Sequence, residues 1–143
     1  MPDLSAITRY LNKQHVLSLC CRDDETFWCA NCFYVFDERR MAFWIMTETT
    51  TRHGALMVQQ PQVAGTVSGQ IKTVMLIKGI QYRGEARRLT GEQEREARAL
   101  YCQRFPMARA VSAPLWEIRL DEIKMTDNTL GFGKKNHWLR SEA

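Results

Sequence analysis

The chain has 143 residues, the usual length of one domain, so we expect a single domain over residues 1–143. Hydrophobic residues make up 45% and charged residues 25%, a balance that excludes an intrinsically disordered chain. The net charge of +4 is scattered along the chain, which argues against a nucleic-acid-binding surface and suits a small anionic ligand.

The sequence predicts a cytoplasmic protein with free thiols. Its longest apolar runs, at 42–46 and 74–77, are too short to cross a membrane. The N-terminal residues lack the basic and apolar segments of a signal peptide. The five cysteines are an odd number, which is atypical of a secreted disulfide framework, so we expect them to be free and mostly buried.

The first half of the chain predicts a helix, three strands and a second, shorter helix. Apolar residues at helical spacing follow Asp3, a candidate N-cap, and we expect this helix to end near Gln14. Segments rich in aromatic, branched and small apolar residues predict strands at 15–21, 27–36 and 41–47. The shorter helix is predicted over 49–60, with Thr50 or Thr51 as its cap.

The second half predicts more strands, one helix and a C-terminal tail. Further strands are predicted at 63–67, 73–78, 80–87 and 116–121. A helix begins at Thr90, where Gln93 would complete a capping box, and ends at Pro106. The tail, 126–140, is predicted to be an ordered loop or arm. About six strands joined by short turns pair antiparallel and can close into a small barrel.

The most informative stretch is 45–53, where the third strand runs into a hydroxyl-rich turn and a helix begins. Exposed amides at a helix N-terminus favour an anion, and the threonine hydroxyls and Arg52 would add charge-assisted hydrogen bonds. We therefore expect a phosphate at this turn. The alternative is that the threonines only cap the helix and Arg52 is solvated.

This stretch resembles the pyridoxamine 5′-phosphate oxidase-like FMN-binding split-barrel family. In that family a strand ending in Thr is followed by Ser-Arg-Lys at a helix start, which grips the FMN phosphate. Thr47 matches the Thr, Thr51 the Ser, Arg52 the Arg and His53 the Lys, a departure that puts a pH-dependent cation in place of a permanent one. The resemblance implies that Thr47 and Met46 lie along the flavin ring system.

A second match to the family is the strand that begins at Gln81, with Gly84 and Ala86 at the family's spacing. In the family this Gln reaches FMN across the interface of a homodimer, so the resemblance implies a shared site. The stretches 28–31, 51–53 and 126–135 are most similar to the bacterial YhbP-like group. The implied fold is mainly β (α+β): an antiparallel six-stranded split β-barrel with flanking short helices.

The resemblance implies an FMN-binding homodimer with flavin-dependent oxidoreductase activity on an unknown small-molecule substrate. No residue stands out as a general acid or base, so the sequence predicts no catalytic residue. One alternative is a cofactor-free split-barrel dimer that acts as a binding or interaction module, which the histidine at position 53 favours. Another is haem or deazaflavin binding on the same fold.

Two other features of the sequence are candidate functional sites. Cys29 and Cys32 have CxxC spacing, but residues three apart on a strand point to opposite faces, so we expect buried thiols and no metal or redox site. Lys134 and Lys135 follow two glycines in the tail. They could close over a phosphate or an acidic substrate, or belong to a solvated loop.

Overall fold

The computed structural model describes residues 1–131 and 133–143, so Phe132, within the matched stretch 126–135, lies outside the described residues. The strands are β1 (Val16–Arg22), β2 (Phe27–Asp37), β3 (Ala42–Met46), β4 (Gln62–Ser68), β5 (Lys78–Arg88), β6 (Leu115–Asp127) and β7 (Lys135–Leu139). The α-helices are α1 (Leu4–Lys13), α2 (Arg52–Gln59) and α3 (Gly91–Arg104). None of these described helices is long and apolar enough to span a membrane.

The strands form a closed antiparallel barrel with one added strand. The order is β3-β2-β1-β4-β5-β6, and β3 also pairs with β6, which closes the ring of six. Among the described residues, the seventh strand, β7, pairs only with β6, outside the ring. The structure therefore confirms the predicted mainly β, α+β fold and its six-stranded antiparallel barrel with flanking helices.

The barrel interior is filled by aromatic and aliphatic side chains. The Phe43 ring is fully buried, and its centroid lies 4.9 Å from that of Tyr34 and 5.1 Å from that of Tyr82. The Tyr34 hydroxyl donates a hydrogen bond to the Leu11 carbonyl at 2.5 Å, and the Tyr82 hydroxyl donates to the Ser18 carbonyl at 2.8 Å. Each buried hydroxyl thus keeps a partner, as burial of a polar group requires.

The link between β4 and β5 corrects one prediction. Residues 73–78, predicted to continue the sheet, instead contain a 3-10 turn at Val74–Leu76. The Asn128 side-chain amide donates a hydrogen bond to the Val74 carbonyl at 2.8 Å, which satisfies a backbone group that a sheet would have paired. The apolar side chains of the turn are consequently exposed.

The predicted capping box at the start of α3 is also wrong. Thr90 occupies the N-cap position, but its side chain makes no capping hydrogen bond. The Gln93 side-chain oxygen instead accepts a hydrogen bond from Arg87 at 3.1 Å. A nearby guanidinium on β5 is a stronger partner for this amide than the backbone of its own helix.

The C-terminal tail is more regular than the predicted loop or arm. Its residues Lys135–Leu139 form β7, which pairs with the second half of β6. The Asn136 side chain exchanges two hydrogen bonds with the Asp3 backbone, each 2.8 Å long. These bonds hold the tail against the start of α1, where the Asp3 side chain accepts a hydrogen bond from the Ala6 amide and confirms the predicted cap.

Candidate functional site

The corner between β3 and α2 begins at Thr47, directly after the half-buried Met46. Both backbone groups of Thr47 are held in place: its amide donates to the Pro114 carbonyl at 3.0 Å, and its carbonyl accepts from the Trp116 indole at 3.2 Å. The Thr47 side chain is buried as well. The backbone of Thr47 is therefore held by Trp116 of β6 and by Pro114, which directly precedes β6.

Thr51 is the N-cap residue directly before α2. Of the two predicted caps, Thr50 and Thr51, the structure therefore selects Thr51. Its hydroxyl accepts a hydrogen bond from the Gly54 amide at 3.0 Å and donates one to the Glu48 carbonyl at 2.7 Å. A Cβ at Gly54 would lie 2.1 Å from the Glu48 carbonyl oxygen, so only glycine lets the turn close this tightly. The local sequence thus fixes where the helix begins.

His53 joins the two threonines of the corner. Its Nε2 lies 2.7 Å from the Thr47 hydroxyl oxygen and 3.4 Å from the Thr51 hydroxyl oxygen. Burial lowers the pKa of His53, so the imidazole is mainly neutral at neutral pH. The His53 ring therefore contributes hydrogen bonds to the two threonine hydroxyls. It supplies little of the positive charge that a lysine carries at this position in the family.

The half-buried His53 imidazole predicts a loss of stability in weak acid. The ordinary pKa is 6.5, and because the folded value is lower, the unfolded chain binds more protons as the pH falls below about 6.5. The contribution of His53 to the free energy of unfolding should be constant above that pH and decrease below it. His53→Gln should remove that part of the decrease, measured by urea unfolding at about pH 7.5 and about pH 5.5. An equal decrease in both proteins would contradict the prediction, because His15 and His137 remain in both.

Arg52, the first residue of α2, is exposed and stacks on an aromatic ring. Its guanidinium carbon lies 4.2 Å from the centroid of the Trp28 ring, a cation–π contact that orients the side chain. Within residues 1–131 and 133–143, no carboxylate pairs with it, and the amides of Arg52 and His53 donate to no backbone acceptor. Two amides and one oriented guanidinium are therefore available to an anion at this helix start.

An apolar groove borders Met46. Its cavity volume is about 610 Å³, and its lining includes Phe33, Tyr101, Phe105 and Met107. The Phe33 and Phe105 ring centroids are 5.2 Å apart. The groove combines the size and the apolar lining that binding sites for planar organic ligands have.

Gln81 is not brought to this corner within one chain. It is exposed on β5, where its register partners are Thr66 on β4 and Lys124 on β6. The strand β5 is separated from β2, which carries Trp28, by β1 and β4, about 14 Å across the sheet at ordinary strand spacing. Trp28 pairs with Cys21, which faces the barrel interior, so Trp28 lies on the inner face of its strand. Gln81 lies on the outer face of β5, between the buried Ile80 and Tyr82.

The structure thus brings five of the six predicted residues to one corner and leaves Gln81 apart. Lys134 and Lys135 also lie elsewhere: Lys135 pairs with Thr126 at one end of β6, while Met46 pairs with Leu115 at the other. Sequence reasoning missed Trp28 as the partner of Arg52. The two residues are 24 positions apart and meet only because α2 packs against β1 and β2.

Comparison with known proteins identifies the family. The chain is 60% identical over 143 residues to the UPF0306 protein YhbP of Escherichia fergusonii, covering 100% of this chain and 97% of that protein. It is 60% identical over 141 residues to the UPF0306 protein YE0465 of Yersinia enterocolitica, covering 99% and 96%. The chain belongs to the UPF0306 (YhbP) family. No model in a library of protein families matches it.

Solved structures resemble the UPF0306 barrel at low sequence identity. A heme-binding protein from Mycobacterium smegmatis superposes with a TM-score of 0.79 at 16% identity, covering 97% of this chain and 59% of that one. HutZ, the heme storage protein of Vibrio cholerae, gives 0.69 at 13%, covering 97% and 95%. A FAD-binding protein from Mesorhizobium loti gives 0.68 at 13%, covering 86% and 93%. These likenesses support the split-barrel fold.

Proposed function

We propose that this protein is a homodimer that binds FMN at the corner between β3 and α2 and acts as a flavin-dependent oxidoreductase. The observation that carries the proposal is the set of donors at the start of α2: two available amides and the Arg52 guanidinium held over Trp28. Such a set suits a phosphate, because backbone amides at a helix start and a guanidinium form charge-assisted hydrogen bonds with it.

The residues present fit FMN, with one departure from the family pattern. Arg52 and the amides would hold the phosphate, while Met46 and Thr47 would lie along the ring system. His53 supports Thr47 and Thr51 through Nε2, so in this proposal it positions the threonines and leaves the phosphate charge to Arg52. FMN when bound supplies the electron and hydride transfer, and the protein supplies position and electrostatics.

We infer the homodimer from Gln81, because the family resemblance implies that this side chain contacts the flavin. Within one chain it lies about 14 Å across the sheet from the strand that carries Trp28, so only a second copy could present it to the same ligand. The exposed apolar turn Val74–Leu76 precedes β5 closely in the chain. Burying this turn against a second copy would remove apolar surface from water and bring the start of β5 to the interface.

Flavin is favoured over haem by the chemistry of the corner. Haem and flavin proteins are both among the structures that share this fold. A haem iron needs an axial ligand, and the usual one is a histidine nitrogen. The Nε2 of His53 is already directed at Thr47, 2.7 Å away, whereas a phosphate needs only the donors that are available.

A cofactor-free binding module is the second candidate, and one observation favours it. Because burial lowers the pKa of His53, the corner carries one fewer positive charge than the family's Arg-Lys pair. In this alternative the apolar groove and the exposed turn would bind a partner, and Arg52 would serve only to pack on Trp28. The two candidates differ in whether any flavin binds.

Titration with FMN tests the proposal. We expect flavin fluorescence to change on addition of the protein, with a dissociation constant that weakens as salt is raised, because the phosphate contact is electrostatic. Riboflavin, which lacks the phosphate, is the matched control and should bind at least about 10-fold more weakly. A sample that leaves both flavins unchanged, or that binds haemin and no flavin, would contradict the proposal.

A further inference from the structure

Two cysteines face each other across β1 and β2. The register pairs Cys20 directly with Cys29, and both side chains lie on the outer face of the barrel. The His15–Tyr34 pair of the same ladder is joined by the Tyr34 amide to the His15 carbonyl at 3.0 Å, which marks it as a hydrogen-bonded pair. Cys20 and Cys29 lie five positions further along, so the alternation makes them a non-hydrogen-bonded pair.

A pair of this kind has the geometry of a disulfide. In non-hydrogen-bonded antiparallel pairs the Cα atoms are about 4.5 Å apart and the side chains approach most closely. That separation lies within the range of about 4.4–6.8 Å over which disulfides form. Cys20 and Cys29 can therefore be joined without a shift of either strand.

The other cysteines do not share this arrangement. Cys21, Cys32 and Cys102 are buried, and burial raises the pKa of Cys21 to about 12 and that of Cys32 to about 11. Cys32 faces the barrel interior while Cys29 faces outward, as residues three apart on a strand must. The CxxC spacing is thus incidental, and the chemically relevant partner of Cys29 is on the neighbouring strand.

The pair is accessible from solvent. Cys29 is exposed, and a groove of about 310 Å³ opens beside Cys20, with Phe27, Ala64 and Arg83 among its lining residues. Ala64 is the register neighbour of Cys20 on β4, and its short side chain leaves that flank open. A small disulfide molecule can therefore reach both sulfur atoms.

We propose that Cys20 and Cys29 form a reversible cross-strand disulfide by exchange with a low-molecular-weight disulfide. The Cys29 thiolate attacks one sulfur of that molecule, forms a mixed disulfide and releases one thiol. The Cys20 thiolate then attacks the Cys29 sulfur, closes the intramolecular bond and releases the second thiol. The two protons lost by the cysteines appear on the two released thiols, and the two electrons reduce the small disulfide.

The order of attack follows from exposure. Cys29 is the more accessible thiol, whereas Cys20 is partly buried, and both burial and the neighbouring Cys29 raise the pKa of Cys20. Cys20 is consequently the slower nucleophile in bulk solution and acts best on a sulfur already held beside it. This chemistry uses no residue of the flavin corner, so it holds whether or not FMN binds.

Oxidised glutathione is the probe, applied to the full-length protein, with intact mass and peptide mapping after alkylation as the measurements. Wild type should lose two hydrogens in a Cys20–Cys29 crosslink, and dithiothreitol should restore the reduced mass. Cys20→Ser should stop at one glutathione adduct on Cys29. Cys102→Ala, which removes a buried thiol on α3, is the matched control and should form the crosslink as wild type does.

Three results would overturn the inference: a wild-type protein that stays reduced, one that ends at a glutathione adduct, or one whose crosslink joins other cysteines or two chains. Circular dichroism of Cys20→Ser tests whether the variant is folded. If it is folded, the missing crosslink results from the loss of the Cys20 thiol and not from unfolding. If that variant is unfolded, Cys29→Ser provides the same test, because it should form no crosslink and take up no adduct on β2.

Discussion

Replacing Phe43 with alanine should lower the free energy of unfolding by about 3–5 kcal/mol, the largest loss expected from any single truncation in the barrel. The ring is fully buried where β3 faces the interior, and it packs against Tyr34 of β2 and Tyr82 of β5. Truncation removes the buried apolar surface and leaves a cavity that the two neighbouring tyrosine rings cannot refill. Urea unfolding monitored by circular dichroism measures the change.

Phe27→Ala is the matched control for this prediction. It removes the same atoms from a side chain that is 74% exposed, against 0% for Phe43, so its effect should stay within about 0.5 kcal/mol. A loss below about 1 kcal/mol for Phe43→Ala would show that the barrel interior is loosely packed. In that case the closure between β3 and β6 could not depend on this aromatic cluster.

The barrel itself could be predicted because its strands carry the signal of a half-buried surface. In β5 the buried residues Ile80, Tyr82 and Ala86 alternate with exposed polar ones, and the structure confirms this strand. Short polar turns between strands indicated antiparallel pairing. Closure between β3 and β6 joins residues 69 to 77 positions apart, a pairing that no local pattern specifies. The strand count allowed a small barrel, and the resemblance to a known family implied the six-stranded split barrel.

Where prediction failed, a long-range partner decided the structure. The apolar run at 73–78 has the composition of a strand, yet the Asn128 side chain binds the backbone of the Val74–Leu76 turn and keeps it outside the sheet. The short strand β7 follows a glycine-rich stretch that local propensity assigns to a loop. Its pairing with β6 is a property of the assembled sheet.

In the candidate site, too, features set by the local sequence could be predicted and features set by long-range contacts could not. The turn chemistry of Thr51 and Gly54 is local, and the cap could be narrowed to two residues from sequence. The contact of Arg52 with Trp28 could not be foreseen, because it depends on how α2 lies against β2. The Cys20–Cys29 pair likewise required the register of two strands, and sequence spacing pointed to Cys32 instead.

Mixing two defective variants should restore flavin binding if the site is shared between subunits. Arg52→Ala should weaken FMN binding by about 10- to 100-fold, because it removes charge-assisted hydrogen bonds to the phosphate. Gln81→Ala should weaken it by about 2- to 10-fold through loss of a neutral hydrogen bond. A heterodimer of the two variants contains one site with both residues intact and one site with neither, so half of its sites should bind FMN as wild type does.

Heterodimers carrying a different affinity tag on each subunit can be purified in two steps and titrated with FMN beside both homodimers. If Arg52 and Gln81 served the same site within one chain, every site of the heterodimer would carry one defect and none would recover. Arg52→Lys separates charge from shape: it keeps the positive charge but loses the planar stacking on Trp28, so partial recovery would assign part of the effect to orientation. A chain that sediments as a monomer would contradict the shared site outright, because Gln81 and Arg52 could then meet on no ligand.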